Sequence, residues 1–329
     1  MKKTYFVLFA LCVLLFGIGC SKQETVESQP VAKATIVVKD EFGEVEVPVK
    51  PEKVVSLDNR TFETLYNWGV KLVAAPKAVM PATSLYRTDD TILDIGNHRE
   101  PNLEIIAQVN PDLVIVGQRF AGYYNDIKAL VPNAAVISLN IDVSENSSQP
   151  GQSLINGLKE NTALLGRIFG KENEAQALAK RFDETVSAVR EAYDKTSKVL
   201  AVNVSGGEVG FIAPKFGRVW GPWYEVFNWV PALSVDNAST NHKGDAVSLE
   251  AIASSNPDYI VVLDRDAGTN KDPNAPGPAR DVIENSAVLK NVRAISEGKI
   301  VYAPNDTYTN EGIETYIEIL ESLKTLFSK

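Results

Sequence analysis

The sequence predicts an α/β protein built from two similar lobes, each a mostly parallel sheet covered by helices, joined by a long, rigid helix. Three observations carry this. Short β-rich runs alternate with helical stretches along the chain, the order that builds helix-covered sheets. A 17-residue segment recurs at a fixed offset of 146 residues: LEIIAQVNPDLVIVGQR from Leu103 to Arg119, and LEAIASSNPDYIVVLDR from Leu249 to Arg265. Between the two copies lies a long helical region, Leu154–Phe169 followed by Gly170 and then Glu172–Tyr193.

Taken in order, the chain opens with the basic Met1-Lys2-Lys3 and an almost wholly apolar run from Tyr5 to Ile18, ending at Gly17-Ile18-Gly19-Cys20. The run has signal-peptide length and is short for a membrane span. Its end resembles a lipobox, so residues 1–19 are read as a signal peptide, Cys20 as a lipidated first residue and 20–35 as a flexible tether. Cys12 falls inside the apolar run, so no disulfide is expected. A hairpin follows, Ile36–Lys39 and Glu44–Val49 flanking Asp40-Glu41-Phe42-Gly43. Val54–Leu57 reads as strand, Phe62–Trp68 as helix and Leu72–Ala74 as strand. Each repeat copy reads as a short amphipathic helix, an Asn-Pro-Asp stop and a four-residue apolar strand, the proline ending the helix. A first lobe over 36–169 and a second over 198–329 are assigned, with 170–197 as the linker. In it, Ala175, Leu178, Ala179, Phe182, Val186, Val189 and Tyr193 keep a 3.6-residue stripe. At ~1.5 Å per residue such a helix spans about 30 Å and makes a poor hinge. Val199–Val204 opens the second lobe, 266–280 is a Gly/Pro/Asn-rich loop, Ile300–Ala303 is the last strand, and Ile313 to Phe327 a final amphipathic helix.

Composition narrows the function. The 329 residues carry a formal charge of −9 and a pI near 5.0, which argues against nucleic acid as a partner. A few local arginines can still hold an anionic small ligand. No GxSxG, HExxH, GxxxxGK[ST] or CxxC occurs, and the chain is read as a non-enzyme. Ligands of α/β sheets sit beyond the carboxyl ends of strands. Arg119 and Arg265 follow their strands at equivalent repeat positions, and a guanidinium is a permanent, forked anion donor. The two histidines, His98 and His242, precede the two repeat helices in polar loops; His98 is expected to be a structural hydrogen bonder. Arg218, Trp220 and Trp223 form an aromatic–basic cluster suited to stacking on a planar anion, whereas Phe227 and Trp229 are expected in the core. Tyr308 sits in the loop before the last helix.

The lipobox, the paired repeat segments and the linking helix together resemble the class III substrate-binding lipoproteins of iron–siderophore ABC importers, over nearly the whole chain after Cys20. LDNRTFETL, GNHREPNLE, VGQRF, VNVSGG, GRVWGP, NHKGD, VLDRDA and APNDTYTNE resemble the streptococcal iron-uptake lipoproteins and related catecholate binders more narrowly. The resemblance implies two Rossmann-like lobes, a ferric bis-catecholate siderophore as ligand, and His242 and Tyr308 completing the iron coordination. It implies catecholate contacts from Arg119 and Arg265, with Arg218 and Arg60 as further candidates, and permease docking through Glu104 and Glu250. No permanently bound cofactor is implied: ferric iron arrives as part of the ligand, and the protein is expected to be a monomer tethered to the membrane through its lipid. Haem, hydroxamate siderophores and cobalamin are the alternatives the fold leaves open.

Overall fold

The computed structural model describes residues 34–236, 238–240, 242–270, 272 and 277–328, which form one compact unit. The segment read as signal peptide, Cys20 and most of the stretch read as tether lie outside the described residues.

The first lobe begins with a two-stranded antiparallel hairpin, β1 (Thr35–Asp40) and β2 (Gly43–Pro48). It is pinned to the sheet by Phe42, stacked on Tyr124 with ring centroids 3.9 Å apart, and by Asp40, which accepts the Ser138 N–H at 2.8 Å. The sheet itself has five parallel strands in the order β5-β4-β3-β6-β7: β3 Val54–Leu57, β4 Leu72–Ala75, β5 Leu93–Asp94, β6 Leu113–Val116 and β7 Ala135–Ser138. β3, β6 and β7 are buried at every residue because both faces are covered, which is why they read as apolar runs without alternation.

The second sheet follows the order β11-β9-β8-β12-β13, with β10 beside the start of β8. Its strands are β8 Lys198–Ser205, β9 Glu208–Phe211, β10 Val230–Pro231, β11 Asp245–Ala246, β12 Tyr259–Asp264 and β13 Ile300–Tyr302. β8, β12 and β13 are parallel; β9 runs antiparallel to β8 and to β11. The reversal sits at Gly206 and Gly207, whose φ values of 64° and 76° suit a two-residue hairpin that few other residues would tolerate.

The repeat is realised in both lobes. Helices Leu103–Val109 and Leu249–Ser255 each end on an asparagine in the left-handed region, Asn110 at φ 47° and Asn256 at φ 41°. The aspartate after each proline then binds backbone at the start of the neighbouring strand. Asp112 accepts from Glu52 and Lys53 N–H groups at 2.8 and 3.2 Å, and Asp258 from Lys198 N–H at 2.8 Å. Asn-Pro-Asp is therefore a cap, a stop and a strand anchor.

The bridge between the lobes is not where the periodicity suggests. Helix Pro150–Phe169 is the element that enters both cores. Leu154, Ile155 and Leu158 pack with Trp223 and Val261 of the second lobe, while Leu165 and Ile168 pack with Val54 and Leu113 of the first. Helix Glu172–Ala192 buries Phe182, Val186 and Val189 in the second-lobe core, against the final helix Ile313–Phe327. The boundary at 169–170 and the linking role of 170–197 are thus corrected: both helices carry the same stripe, and only packing tells which cores they join. The stretch 266–280, read as loop, also carries helical ends: Arg265–Thr269, capped by Asp264 accepting the Ala267 N–H at 2.9 Å, and Ala279–Glu284. Among the described residues no helix is long and apolar enough to cross a membrane.

Candidate functional site

The segment Asp306–Glu314, which runs from after β13 into the first turn of the final helix, is the meeting point of the lobes. Asn59 donates to the Thr309 carbonyl at 2.6 Å and to the Val79 carbonyl at 2.8 Å. Thr64 donates to the Glu314 carboxylate at 2.8 Å, Asn310 to Glu63 at 3.0 Å, and Thr83 to Asp306 at 2.6 Å. These bonds with first-lobe side chains make the segment common to both lobes.

Tyr308 sits at the centre of it, almost wholly buried, with guanidiniums from both lobes around it. Arg119, in the turn after β6, donates to the Tyr308 carbonyl at 3.1 Å, and Arg218 donates to the same oxygen at 2.9 Å. The guanidinium carbons of Arg218, Arg265 and Arg119 lie 4.2, 5.2 and 5.7 Å from the Tyr308 ring centroid, within cation–π range. Arg265 also donates to Ser205 at 3.2 Å, and its neighbour Asp266 accepts the Gly206 and Gly207 N–H groups at 2.9 and 3.1 Å. The hairpin turn of the second sheet thereby holds the helix that carries Arg265.

Arg60, in the first-lobe loop after β3, pairs with Glu311 at 3.7 Å, and Glu311 also pairs with Arg218. Burial alone would raise the Glu311 carboxyl, but Arg218, Arg60 and Arg119 together hold it below the ordinary carboxylate range. Burial depresses Arg119 and Arg218 adds to that, yet a guanidinium remains a cation. Beside Arg60, the buried Asp58 is pushed up to about 6, chiefly by desolvation and against the pull of Arg60. Asp58 packs so tightly under β6 that a Cβ on Gly117 would come within 2.3 Å of its carboxylate. Arg60, Arg119 and Arg218 therefore act on the buried Glu311 carboxylate, and Arg60 also on Asp58, while Arg265 stands at the Tyr308 ring, so guanidiniums outnumber carboxylates in this cluster. The backbone next to Arg218 is strained: Val219 has φ 62°, costly for a β-branched residue, inside a turn closed by Trp220 N–H to the Arg218 carbonyl at 2.7 Å.

A cavity of about 300 Å³ opens beside this cluster, lined by Arg60, Arg218 and Glu311 together with His242, Phe216 and Asp142. His242 is exposed, on a loop anchored by Asn203, which donates to the His242 carbonyl at 3.0 Å. Partial burial, then the charges of Arg265 and Arg218, keep its imidazole below its ordinary pKa, so at neutral pH it presents a lone pair. His98 has the same tendency, from burial and from Arg119, and its buried Nδ1 has no hydrogen-bond partner. The expected structural hydrogen bond through that nitrogen is absent.

Of the residues read from the sequence, Arg60, Arg119, Arg218, Arg265 and Tyr308 come together, with His242 on the adjoining cavity. Trp220 and Trp223 do not. Both are fully buried in the second-lobe core, Trp223 stacked on Phe227 at 5.4 Å, so neither reaches a ligand and their assignment to it is corrected. Phe227 and Trp229 are in that core as expected. Glu104 and Glu250 are exposed in the first turns of the two repeat helices. Glu311, Asp58 and Asn59 were not singled out from the sequence. The one available signal was that they lie in the same two polar segments as Arg60 and Tyr308.

A family model described as "Periplasmic binding protein" matches residues 54–307. Among curated proteins, the chain is 28% identical to the petrobactin-binding protein YclQ of Bacillus subtilis, covering 98% of each chain. It is 25% identical to the ferric-anguibactin-binding protein FatB of Vibrio anguillarum, over 88% of this chain and 86% of that one. The crystal structure of YclQ superposes with a TM-score of 0.74 over 90% of this chain and all of that one. The catecholate-siderophore-binding protein VctP of Vibrio cholerae, at 21% identity, shares the fold with a TM-score of 0.75 over 89% of this chain and all of that one. With the family match spanning both lobes and the segment that joins them, the chain belongs to the periplasmic binding protein family, in its two-lobed, helix-bridged class III form.

Proposed function

We propose that the chain is an extracytoplasmic solute-binding protein that captures a ferric siderophore between its lobes, specifically a bis-catecholate complex, and delivers it to an ABC importer. The observation that carries this is the convergence of Arg119, Arg218 and Arg265 around Tyr308, with Arg60 joined to Arg218 through Glu311, so that each lobe contributes two guanidiniums. Such a cluster suits an anion rich in oxygen. Two catecholates fill four positions on Fe(III) and leave a net single negative charge. The neutral imidazole of His242 and the phenol oxygen of Tyr308 are donors compatible with the two remaining positions on a hard cation. That relatives are named for petrobactin and ferric anguibactin supports the ligand class.

The remaining roles are proposed with it. Glu104 and Glu250, exposed at equivalent repeat positions, dock to a two-subunit permease. Cys20 carries the lipid that retains a monomer at the membrane, and the protein turns over no substrate. The test is an intrinsic-fluorescence titration of the chain from Ser21 onward with ferric bis-catecholate, ferric hydroxamate and haem. Tight binding of the catecholate, weakened about tenfold or more in His242→Ala and Tyr308→Phe, is expected. Preference for haem or hydroxamate would overturn the ligand; indifference to both substitutions would overturn the coordination.

A further inference from the structure

We infer that Glu311 sets the ligand charge the site accepts, favouring singly over triply negative ferric complexes. This rests on the proposed siderophore function and adds a residue that selects among siderophores.

The four guanidiniums are not equivalent. Glu311 pairs with Arg218 and with Arg60, one cation from each lobe, and all three line the same cavity. The side chains of Arg60, Glu311 and Arg218 are 7%, 11% and 19% exposed, so solvent screens this arrangement little. Arg119 and Arg265, by contrast, have no carboxylate partner among the described residues; they bond to the Tyr308 carbonyl and to the Ser205 hydroxyl. Two guanidiniums are thus without a carboxylate ion pair, while two are paired with a fixed negative charge whose field also reaches Arg119 and that any incoming anion also meets. A bis-catecholate of Fe(III) carries one negative charge and a tris-catecholate three. The repulsion from one buried carboxylate scales with that charge, whereas uncompensated arginines would reward the more negative complex.

The test is the ratio of Kd values for ferric tris-catecholate and ferric bis-catecholate, measured by fluorescence titration at fixed salt. Wild type, Glu311→Gln, Arg60→Gln and the double variant Arg60→Gln/Glu311→Gln are compared. Glu311→Gln is expected to shift the ratio toward the tris-catecholate by about tenfold or more, and the double variant, with the wild-type net charge, to return it close to the wild-type value. Should Glu311→Gln alone not fold, Arg60→Gln against the double variant reads the same Glu311 effect. If the wild type binds bis-catecholate but the ratio is unmoved by loss of Glu311, this inference is overturned while the siderophore reading stands. If the wild type binds neither complex, both fall.

Discussion

In the first lobe the chain leaves β3 through helix Phe62–Asn67 and returns as the parallel strand β4. In the second it reverses at once at Gly206–Gly207, and β9 runs back antiparallel to β8. The rest of each lobe follows the repeat, with matching helix, asparagine cap, aspartate anchor and strand, and an arginine at the same place after it. The shared part supplies one symmetric pair, Arg119 and Arg265. The divergent part supplies most of the rest. Arg218 lies between β9 and the helix Gly221–Phe227, and His242 lies just before β11. The first lobe adds only Arg60 and the bonds that hold the seam. A duplicated scaffold thus provides a symmetric pair of arginines, and the departure from duplication provides Arg218 and His242.

Four substitutions or titrations break or sharpen that contrast, in decreasing order of effect. Trp223→Ala removes a fully buried indole from the second-lobe core and is expected to cost about 3–5 kcal/mol in denaturant unfolding, without contacting ligand. A smaller cost with lost ligand binding would restore Trp223 to the site.

The next effect is pH-dependent. Burial pushes the Glu314 carboxyl up to about 7, and Asp58 up to about 6. A folded carboxyl raised in this way keeps a proton that the unfolded chain has lost. Its contribution to stability is therefore full near pH 4 and declines as pH rises, ending near pH 7 for Glu314 and near pH 6 for Asp58. Glu314→Gln should remove about 2–3 kcal/mol of that decline and leave the Asp58 part below pH 6. A stability–pH profile unchanged by the substitution would contradict the burial of Glu314 at the seam.

Asn59→Ala deletes a donor to carbonyls on both lobes and should cost about 1–2 kcal/mol, whereas the exposed Thr83→Ala should stay within about 0.5 kcal/mol. Equal costs would mean that the buried and exposed halves of the seam do not differ. The smallest effect in vitro is expected for Glu104→Lys and Glu250→Lys, within about 0.5 kcal/mol in stability and without change in ligand affinity. Both should nevertheless abolish uptake in cells, each through its own lobe, and normal uptake would remove them from the docking surface.

What the sequence disclosed follows the same division. The repeat was legible because Asn-Pro-Asp performs three backbone tasks with three adjacent residues, and Arg119 and Arg265 came with it. Arg218 is legible through its aromatic cluster and Tyr308 through its loop, whereas Arg60 comes only through resemblance. Glu311 is not legible, because its burial exists only once Arg60 of one lobe meets Arg218 of the other, and Asp58 is not, because its burial comes from the close approach of Gly117, far away in sequence. Trp220 and Trp223 were misplaced because an aromatic cluster beside an arginine looks alike whether it faces a cleft or a core; here the strained turn at Val219 sends the arginine one way and the indoles the other. The bridge was misassigned because the stripe of Pro150–Phe169 and that of Glu172–Ala192 have the same period.

The central claim is that one anion is held by both lobes at once, through Arg119 and Arg265. Titration of Arg119→Met, Arg265→Met and the double variant with ferric bis-catecholate tests it directly. Each single substitution should weaken binding about tenfold or more, and the double should leave little. Full affinity in either single variant would place the ligand on one lobe and contradict the account.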